Sequence, residues 1–185
     1  MKADLHNHSY YSDGVLSPSE VVRLANKAGC NLFSLTDHDT RDGLAEARFE
    51  ANKLGLNLIN GVEISAFWQN MAIHIVGLGV DVNNDILQAG LEHNKKLRKI
   101  RAEKIALSLW RSGIRDALEK AQIISGGHML TRTHFAQMLI QEGYCKDMKS
   151  VFRRYLTGKK PGGVRVEWKG LDEVINWIQS AGGKA

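Results

Sequence analysis

The first fourteen residues, Met1-Lys-Ala-Asp-Leu-His-Asn-His-Ser-Tyr-Tyr-Ser-Asp-Gly14, carry the pattern from which the rest of the chain can be read. Ala3, Leu5 and Asn7 alternate with Asp4, His6 and His8, the period of a strand. Alternate side chains of a strand share a face, so His6 and His8 project together, one pleat apart. Asp13-Gly14 is a turn pair able to bring a carboxylate back toward both rings. Two imidazoles and an acid so placed fit the start of a metal site. They fit a solvent-facing strand end with one turn aspartate as well, and the residues that follow decide between the two.

Working outward, Ser17-Pro18-Ser19-Glu20 has the form of a helix start: a capping serine, proline at the first helical position and a glutamate closing a capping box. Val21, Val22, Leu24, Ala25 and Ala28 supply its apolar face, and Gly29 ends it. Leu32–Leu35 reads as a short buried strand running into Thr36-Asp37-His38-Asp39-Thr40. A helix is expected over about 43–54, with Leu44, Ala47, Ala51 and Leu54 inward. Leu56–Ile59 then reads as a third strand leading into Asn60-Gly61-Val62-Glu63. Strand, helix, strand, helix, strand is the order of a parallel α/β sheet or barrel.

In such folds chemistry collects at the carboxyl ends of the strands. His6 and His8, His38 with its flanking aspartates, and Glu63 are each expected at a strand end, on one rim. Phe67–Met71 reads as a turn into a fourth strand, Ala72–Val80, with Ile73, Ile75 and Leu78 toward the core. His74 falls on the other face, and with three histidines and a glutamate already on the rim it is read as a further ligand.

From Asn83 the texture changes. A helix of about residues 85–112 contains six cations against one acid between Lys95 and Lys104. Leu91, Ile100, Ala102, Ile105, Leu109 and Trp110 are expected inward. Arg98 and Arg101, three apart, share a face and can grip one anion, although such runs also serve as solvated faces. Shorter helices are expected over 116–124, 133–141 and 147–156. Arg132 and His134 lie near the start of the second, where anions are favoured. The glycine-rich loop Thr157–Gly163 carries Lys159 and Lys160 without Walker A spacing. A last helix is expected over 171–180. Residues 83–165 thus read as a helical insertion between a first part, 1–82, and a return segment, 166–185.

The bulk properties set bounds. The 185 residues, 43% hydrophobic and 24% charged, suit one domain with a sizeable core, or a smaller one with an insertion. No apolar run is long enough for a bilayer, and the strand beginning just after Met1 leaves no room for a signal peptide. Cys30 and Cys145 form no CxxC pair, which fits buried small side chains in a reducing cytoplasm. Residues 1–80 hold 6 Lys and Arg against 9 Asp and Glu, and residues 81–185 hold 19 against 11. An acidic, histidine-bearing part followed by a basic part suits a metal on one side and an anionic substrate on the other.

Together, DLHNHS at 4–9, SDG at 12–14, LTDHDT at 35–40, GVEIS at 61–65 and IHIVGL at 73–78 resemble the PHP family, named for polymerase and histidinol phosphatase. RAEKIA at 101–106, TRTHFA at 131–136 and YLTGKKPG at 155–162 extend the resemblance toward its 3′,5′-nucleotide bisphosphate phosphatases and 5′→3′ exoribonucleases of the ribonuclease AM type. The resemblance implies a distorted (β/α)7 barrel with a helical insertion and three divalent ions, manganese above all, with zinc or iron(II) also suited to nitrogen and oxygen ligands. By motif, His6, His8 and Glu63 would hold one ion, Glu63 and His74 a second, and Asp13 and His38 a third. The implied nucleophile is a metal-activated water, with no side chain assigned to catalysis. Arg98, Arg101, Arg132, His134 and Lys160 would meet substrate phosphates. The implied substrates are a nucleoside 3′,5′-bisphosphate or the 5′ end of short RNA.

Family members continue into AHPGR and Asp-x-His motifs that add a ligand to each ion, and these follow no residue here. The barrel is therefore expected to be incomplete, and this chain alone to bind metal weakly and turn over little. Other readings are a histidinol-phosphatase-like or polymerase-associated exonuclease domain, or an inactive metal- or nucleic-acid-binding module. TRTHFA and YLTGKKPG speak against the first two.

Overall fold

The computed structural model describes residues 1–185. In chain order the elements are β1 (Ala3–Asp4), α1 (Pro18–Lys27), β2 (Leu32–Phe33), α2 (Leu44–Leu54), β3 (Asn57–Leu58), β4 (Gly61–Trp68), β5 (Met71–Leu78), α3 (Asp85–Arg111), α4 (Ala117–Ile124), α5 (Arg132–Gln141), α6 (Met148–Val151) and α7 (Leu171–Ser180). A π-helical turn, Phe152–Leu156, continues α6. The chain divides into two compact units, one of residues 1–95 with 168–185, the other of residues 96–167.

The first unit is α/β. Strands β1, β2 and β3 pair in parallel in that order, with α1 and α2 as crossovers. Val22, Ala25, Phe33, Leu35, Ala47 and Ala51 form the core they share. Ser17 caps α1 as its sequence predicts: its hydroxyl accepts from the Glu20 amide, and the Glu20 carboxylate accepts from the Ser17 amide. Leu24 and Leu54, expected inward, are 53% and 38% exposed, because each helix is only half covered and these two fall at the edge of its buried stripe.

Two corrections concern the strands. The extended run from Ala3 to His8 is ladder-paired only at Ala3–Asp4. Beyond it, the Asn7 amide donates to the Thr36 hydroxyl and the Asn7 carbonyl accepts from the Thr36 amide, so the segment still runs beside 34–36 without regular pairing. Second, Gly61–Trp68 is an eight-residue strand, and Glu63 lies inside it instead of at the end of β3. β4 joins β5 through Gln69-Asn70, both at positive φ, a two-residue primed turn that permits only antiparallel pairing. Five strands therefore make two sheets and no closed barrel.

In β4, Val62, Ile64 and Ala66 face a second core with Leu87 and Leu91 of α3 and Val174, Trp177 and Ile178 of α7. Glu63 and Ser65 face the other way, and Ser65 stands opposite His74. A parallel bridge joins His38 to Glu63, the Asp39 amide donating to the Glu63 carbonyl and the Glu63 amide to the Asp37 carbonyl. Gly61 allows this approach, since a Cβ there would lie 2.2 Å from the Ser34 hydroxyl.

The second unit is helical. Ile105 and Leu109 of α3, Phe135, Met138 and Leu139 of α5, and Leu156 of the π turn fill its core. Ile100 and Trp110, expected inward, are 42% and 59% exposed, while Arg98 and Arg101 are buried at 3% and 7%. The buried stripe of this part of α3 is thus partly cationic, the reverse of the usual hydropathy order. Cys30 and Cys145 are buried free thiols.

Candidate metal centre

Four imidazoles and two carboxylates meet in the first unit. His6 Nε2 and His8 Nε2 each lie 2.9 Å from Glu63 Oε2, and His74 Nδ1 lies 2.9 Å from Glu63 Oε1. His38 Nδ1 is 3.5 Å from Glu63 Oε2, and its Nε2 is 3.7 Å from Asp13 Oδ2. His8 Nδ1 is 3.4 Å from Asp13 Oδ1. The rings form a row His6, His8, His38, His74 with centroids 5.2, 4.6 and 4.6 Å apart, the first two pairs tilted and the last edge-on. Three groups could each hold an ion, His6–His8–Glu63, His8–Asp13–His38 and His38–Glu63–His74, their donor atoms all within 4.8 Å of one another. Compared with the sets implied by motif, His8 also joins Asp13 and His38, and His38 also joins Glu63 and His74. The donors are imidazole nitrogen and carboxylate oxygen with no thiolate, a set that fits manganese, zinc or iron(II).

Backbone economy makes the convergence possible. A Cβ on Gly14 would sit 2.3 Å from the His8 carbonyl oxygen, so only glycine lets the 9–14 turn fold back far enough to bring Asp13 to His8. His74 reaches Glu63 diagonally across the β4–β5 ladder, a span suited to long side chains.

The electrostatics are those of a cation site in its protonated form. Burial would push the Glu63 carboxyl up, yet hydrogen bonds from His74 and His8, the charge of His38 and the bond to His6 outweigh it. Together they hold the group far below the usual carboxylate range. Burial likewise works to lower His8, but its hydrogen bond to Glu63 and the charges of Asp13, Glu63 and Asp37 raise it above 6.5. Ser12 donates its proton to Asp37, so its oxygen is left to accept from His8 Nδ1 at 3.3 Å. Both His8 nitrogens then act as donors, as in the imidazolium form.

The aspartates flanking His38, read from sequence as metal-capable, belong to none of the three groups. Asp37 accepts from the Ser9 amide and hydroxyl at 2.7 and 2.6 Å and from the Ser12 hydroxyl at 2.6 Å. Asp39, buried and at φ +50°, accepts from the Ser65 amide and hydroxyl at 2.8 and 2.7 Å and from the Asn94 amide group at 2.7 Å. These two carboxylates fasten the His38 segment to the 9–12 turn on one side and to β4 and α3 on the other. Ser9, Ser12, Ser65 and Asn94 were not legible as supports, because their acceptors lie 25–55 residues away. The TDHDT string was the one signal.

The five expected phosphate contacts all lie in the second unit. Arg98 and Arg101 are buried, and Arg132 opens α5. Burial and then the positive charge of Arg98 hold the Arg132 guanidinium below its ordinary range. His134 is buried and spends Nδ1 on the capping box, accepting from the Thr131 amide at 3.1 Å. Lys160 is on an exposed loop.

A family model described as the PHP domain matches residues 4–179. The chain belongs to the PHP domain family. It is 44% identical over 183 residues to a 3′,5′-nucleoside bisphosphate phosphatase of Chromobacterium violaceum, covering 98% of this chain and 64% of that protein. It is 41% identical to a 5′-3′ exoribonuclease Rnm of Escherichia coli, covering 98% of this chain and 63% of the relative. Among solved structures, an amidohydrolase of Chromobacterium violaceum, with sulfate bound and no metal, superposes with a TM-score of 0.94 at 43% identity, over 99% of this chain and 65% of that one. The PHP chain described here thus spans about two thirds of the length of the relatives it matches. Its α/β arrangement of a parallel sheet with helices is the fold of these PHP neighbours. No helix is long and apolar enough to cross a membrane.

Proposed function

We propose that this PHP chain is a metal-dependent phosphoesterase that releases the 3′-phosphate of nucleoside 3′,5′-bisphosphates and acts from the 5′ end of short RNA. The observation that carries the reading is the meeting of His6, His8, Asp13, His38, Glu63 and His74 in three overlapping groups. Three divalent ions, manganese first, are the proposed occupants. When bound, such ions acidify water and neutralise phosphate oxygens.

The chain's own residues supply geometry and charge. Glu63 is shared between two of the groups, so it fixes their separation, while Asp13 anchors the third. Asp37 and Asp39 keep the His38 segment from drifting when the imidazoles release their protons. In the second unit, which we assign to the substrate, Arg98, Arg101 and Arg132 hold the phosphate that is not cut, since a guanidinium fork binds an oxyanion through two bonds. With Nδ1 accepting from Thr131, the proton of neutral His134 sits on Nε2, from which it can donate to a phosphate oxygen. Lys160 adds a positive charge from its exposed loop. The first nucleotide of an RNA offers the same pair of phosphate groups as the bisphosphate. The two relatives named above, a bisphosphate phosphatase and an exoribonuclease, support both substrates, and the two free buried cysteines agree with a reducing cytoplasm.

The test is phosphate release from adenosine 3′,5′-bisphosphate by the product of the complete coding sequence that carries these residues. Manganese-stimulated release that leaves the 5′-phosphate on the nucleoside is expected. Absence of such release would overturn the proposal.

A further inference from the structure

The second unit carries more positive charge than its assigned phosphate contacts need. It holds 16 Lys and Arg against 6 Asp and Glu, whereas the first unit holds 9 against 14. Beyond the five residues placed on phosphates, six cations fall within residues 146–165: Lys146, Lys149, Arg153, Arg154, Lys159 and Arg165. All six are exposed. The one acid among these residues, Asp147, spends its carboxylate on the Ser150 amide as the cap of α6. The ion pair Lys120–Glu142 lies elsewhere in the unit.

Aromatic rings sit among these charges. Tyr144 is 37% exposed and meets Tyr155 edge-on, with centroids 6.3 Å apart at 73°. The Arg154 guanidinium lies over the Tyr155 ring at 5.5 Å. An exposed ring beside a stacked guanidinium is a surface on which bases stack without regard to sequence. A basic face serving solubility alone would intersperse both signs. An anionic membrane would call for apolar side chains beside the cations, but Val151 and Leu156 of this segment are fully buried. A free bisphosphate offers two phosphates, whereas a strand offers one phosphate and one base at every step.

We infer that residues 144–165 form a binding surface for single-stranded RNA, so that this chain engages strands of several nucleotides more tightly than the free bisphosphate. The inference deepens the phosphoesterase reading and rests on it, yet it concerns residues outside both the candidate metal centre and the assigned phosphate contacts. Lys149 and Arg153 are four apart on consecutive helical turns and so share a side, and Lys146 stands exposed just before the N-cap of the same helix. These cations suit a phosphate backbone, and the Tyr144–Tyr155–Arg154 group suits its bases.

The experiment measures binding without turnover. The full chain is titrated in EDTA against a 3′-labelled, 5′-phosphorylated single-stranded RNA of twelve nucleotides, followed by fluorescence anisotropy across a salt series. Adenosine 3′,5′-bisphosphate is the competitor, and phosphatidylserine vesicles form a separate arm. The RNA is expected to bind at least tenfold more tightly than the bisphosphate. The triple variant K146A/K149A/R153A should bind it roughly tenfold more weakly, with a log–log salt slope shallower by about 2, since each phosphate neutralised on a single strand contributes about 0.7. Tyr144→Ala should weaken binding roughly fivefold and leave the slope unchanged, which separates stacking from charge. Circular dichroism shows whether either variant still folds, and because all four side chains are exposed both should. Equal affinity for RNA and bisphosphate, an unchanged triple variant, or vesicle binding stronger than RNA binding would each overturn the inference. Phosphate release without any length effect would sink this surface and spare the phosphoesterase reading. Length-dependent RNA binding without phosphate release would do the opposite.

Discussion

The two units treat charge in opposite ways. In the first, carboxylates are buried and spoken for: Asp37 by Ser9 and Ser12, Asp39 by Ser65 and Asn94, and Glu63 by imidazoles on both oxygens. In the second, Arg98 and Arg101 are buried, Arg132 is half-buried, and many more cations stand in solvent. On the proposed reading, the first unit would receive cations and the second anions. A phosphoesterase that works through metal ions needs both, since the ions hold the reacting phosphate and the protein must hold everything else.

The largest effect expected on this contrast comes from Asp39→Ala. It would remove the carboxylate that accepts from the Ser65 amide, the Ser65 hydroxyl and the Asn94 amide group, which keeps only the Ser65 carbonyl, a loss of about 3 kcal/mol by denaturant titration. Asp39→Asn should recover part of that, because asparagine tolerates positive φ and still accepts. Hydrogen exchange should locate the loss in the first unit. Equal loss of protection in α4 and α5 would show that the two units do not respond separately.

Next comes Glu63→Gln, which keeps the shape of the side chain and removes the charge shared by two groups. Manganese affinity by calorimetry should fall roughly 100-fold, while RNA binding in EDTA stays unchanged. If RNA binding fell in parallel, the division of labour would be wrong.

A smaller effect is set by pH. The folded, metal-free chain holds the His8 proton more tightly than a free imidazole does, and a metal ion takes only the unprotonated nitrogen. A raised value means that protons still compete above pH 6.5, so manganese affinity should climb with pH through and beyond that point, by up to about tenfold per unit for one displaced proton. RNA binding to the second unit should lack this step between pH 6.5 and 7.5. The smallest effect is Ser17→Ala, which removes the cap of α1 and should cost about 1 kcal/mol without changing either kind of binding.

Much of this was written in the sequence, and the gaps have physical causes. The Ser17–Glu20 box and α7 were legible because caps and helical periods are local. The six candidate ligands were singled out by motif, and the structure brings them together even though Glu63 sits inside β4 and not at a strand end. β4 was misjudged even though Val62, Ile64 and Ala66 alternate with Glu63 and Ser65. Asn60-Gly61 looked like the end of a strand, whereas Gly61 is there to let β4 pass close to Ser34. The true role of Asp37 and Asp39 depends on hydroxyl groups far along the chain, which no local pattern reports. Nor did hydropathy report that Arg98 and Arg101 are buried while Ile100 and Trp110 are in solvent, because the two arginines share the stripe of Ala102, Ile105 and Leu109 yet carry the charge that usually marks a solvent face.

The central claim is that four particular imidazoles belong to one centre of three overlapping cation-binding groups. Zinc, a diamagnetic ion suited to the same donors, can be titrated into the 15N-labelled chain at pH 7.5 while the ring nitrogens of its seven histidines are followed by NMR. Saturable shifts are expected at His6, His8, His38 and His74, with His93, His128 and His134 unmoved, and Glu63→Gln should weaken the response most at His6 and His74, whose groups both contain Glu63. Shifts spread evenly over all seven histidines, or the same titration curve in Glu63→Gln, would contradict it.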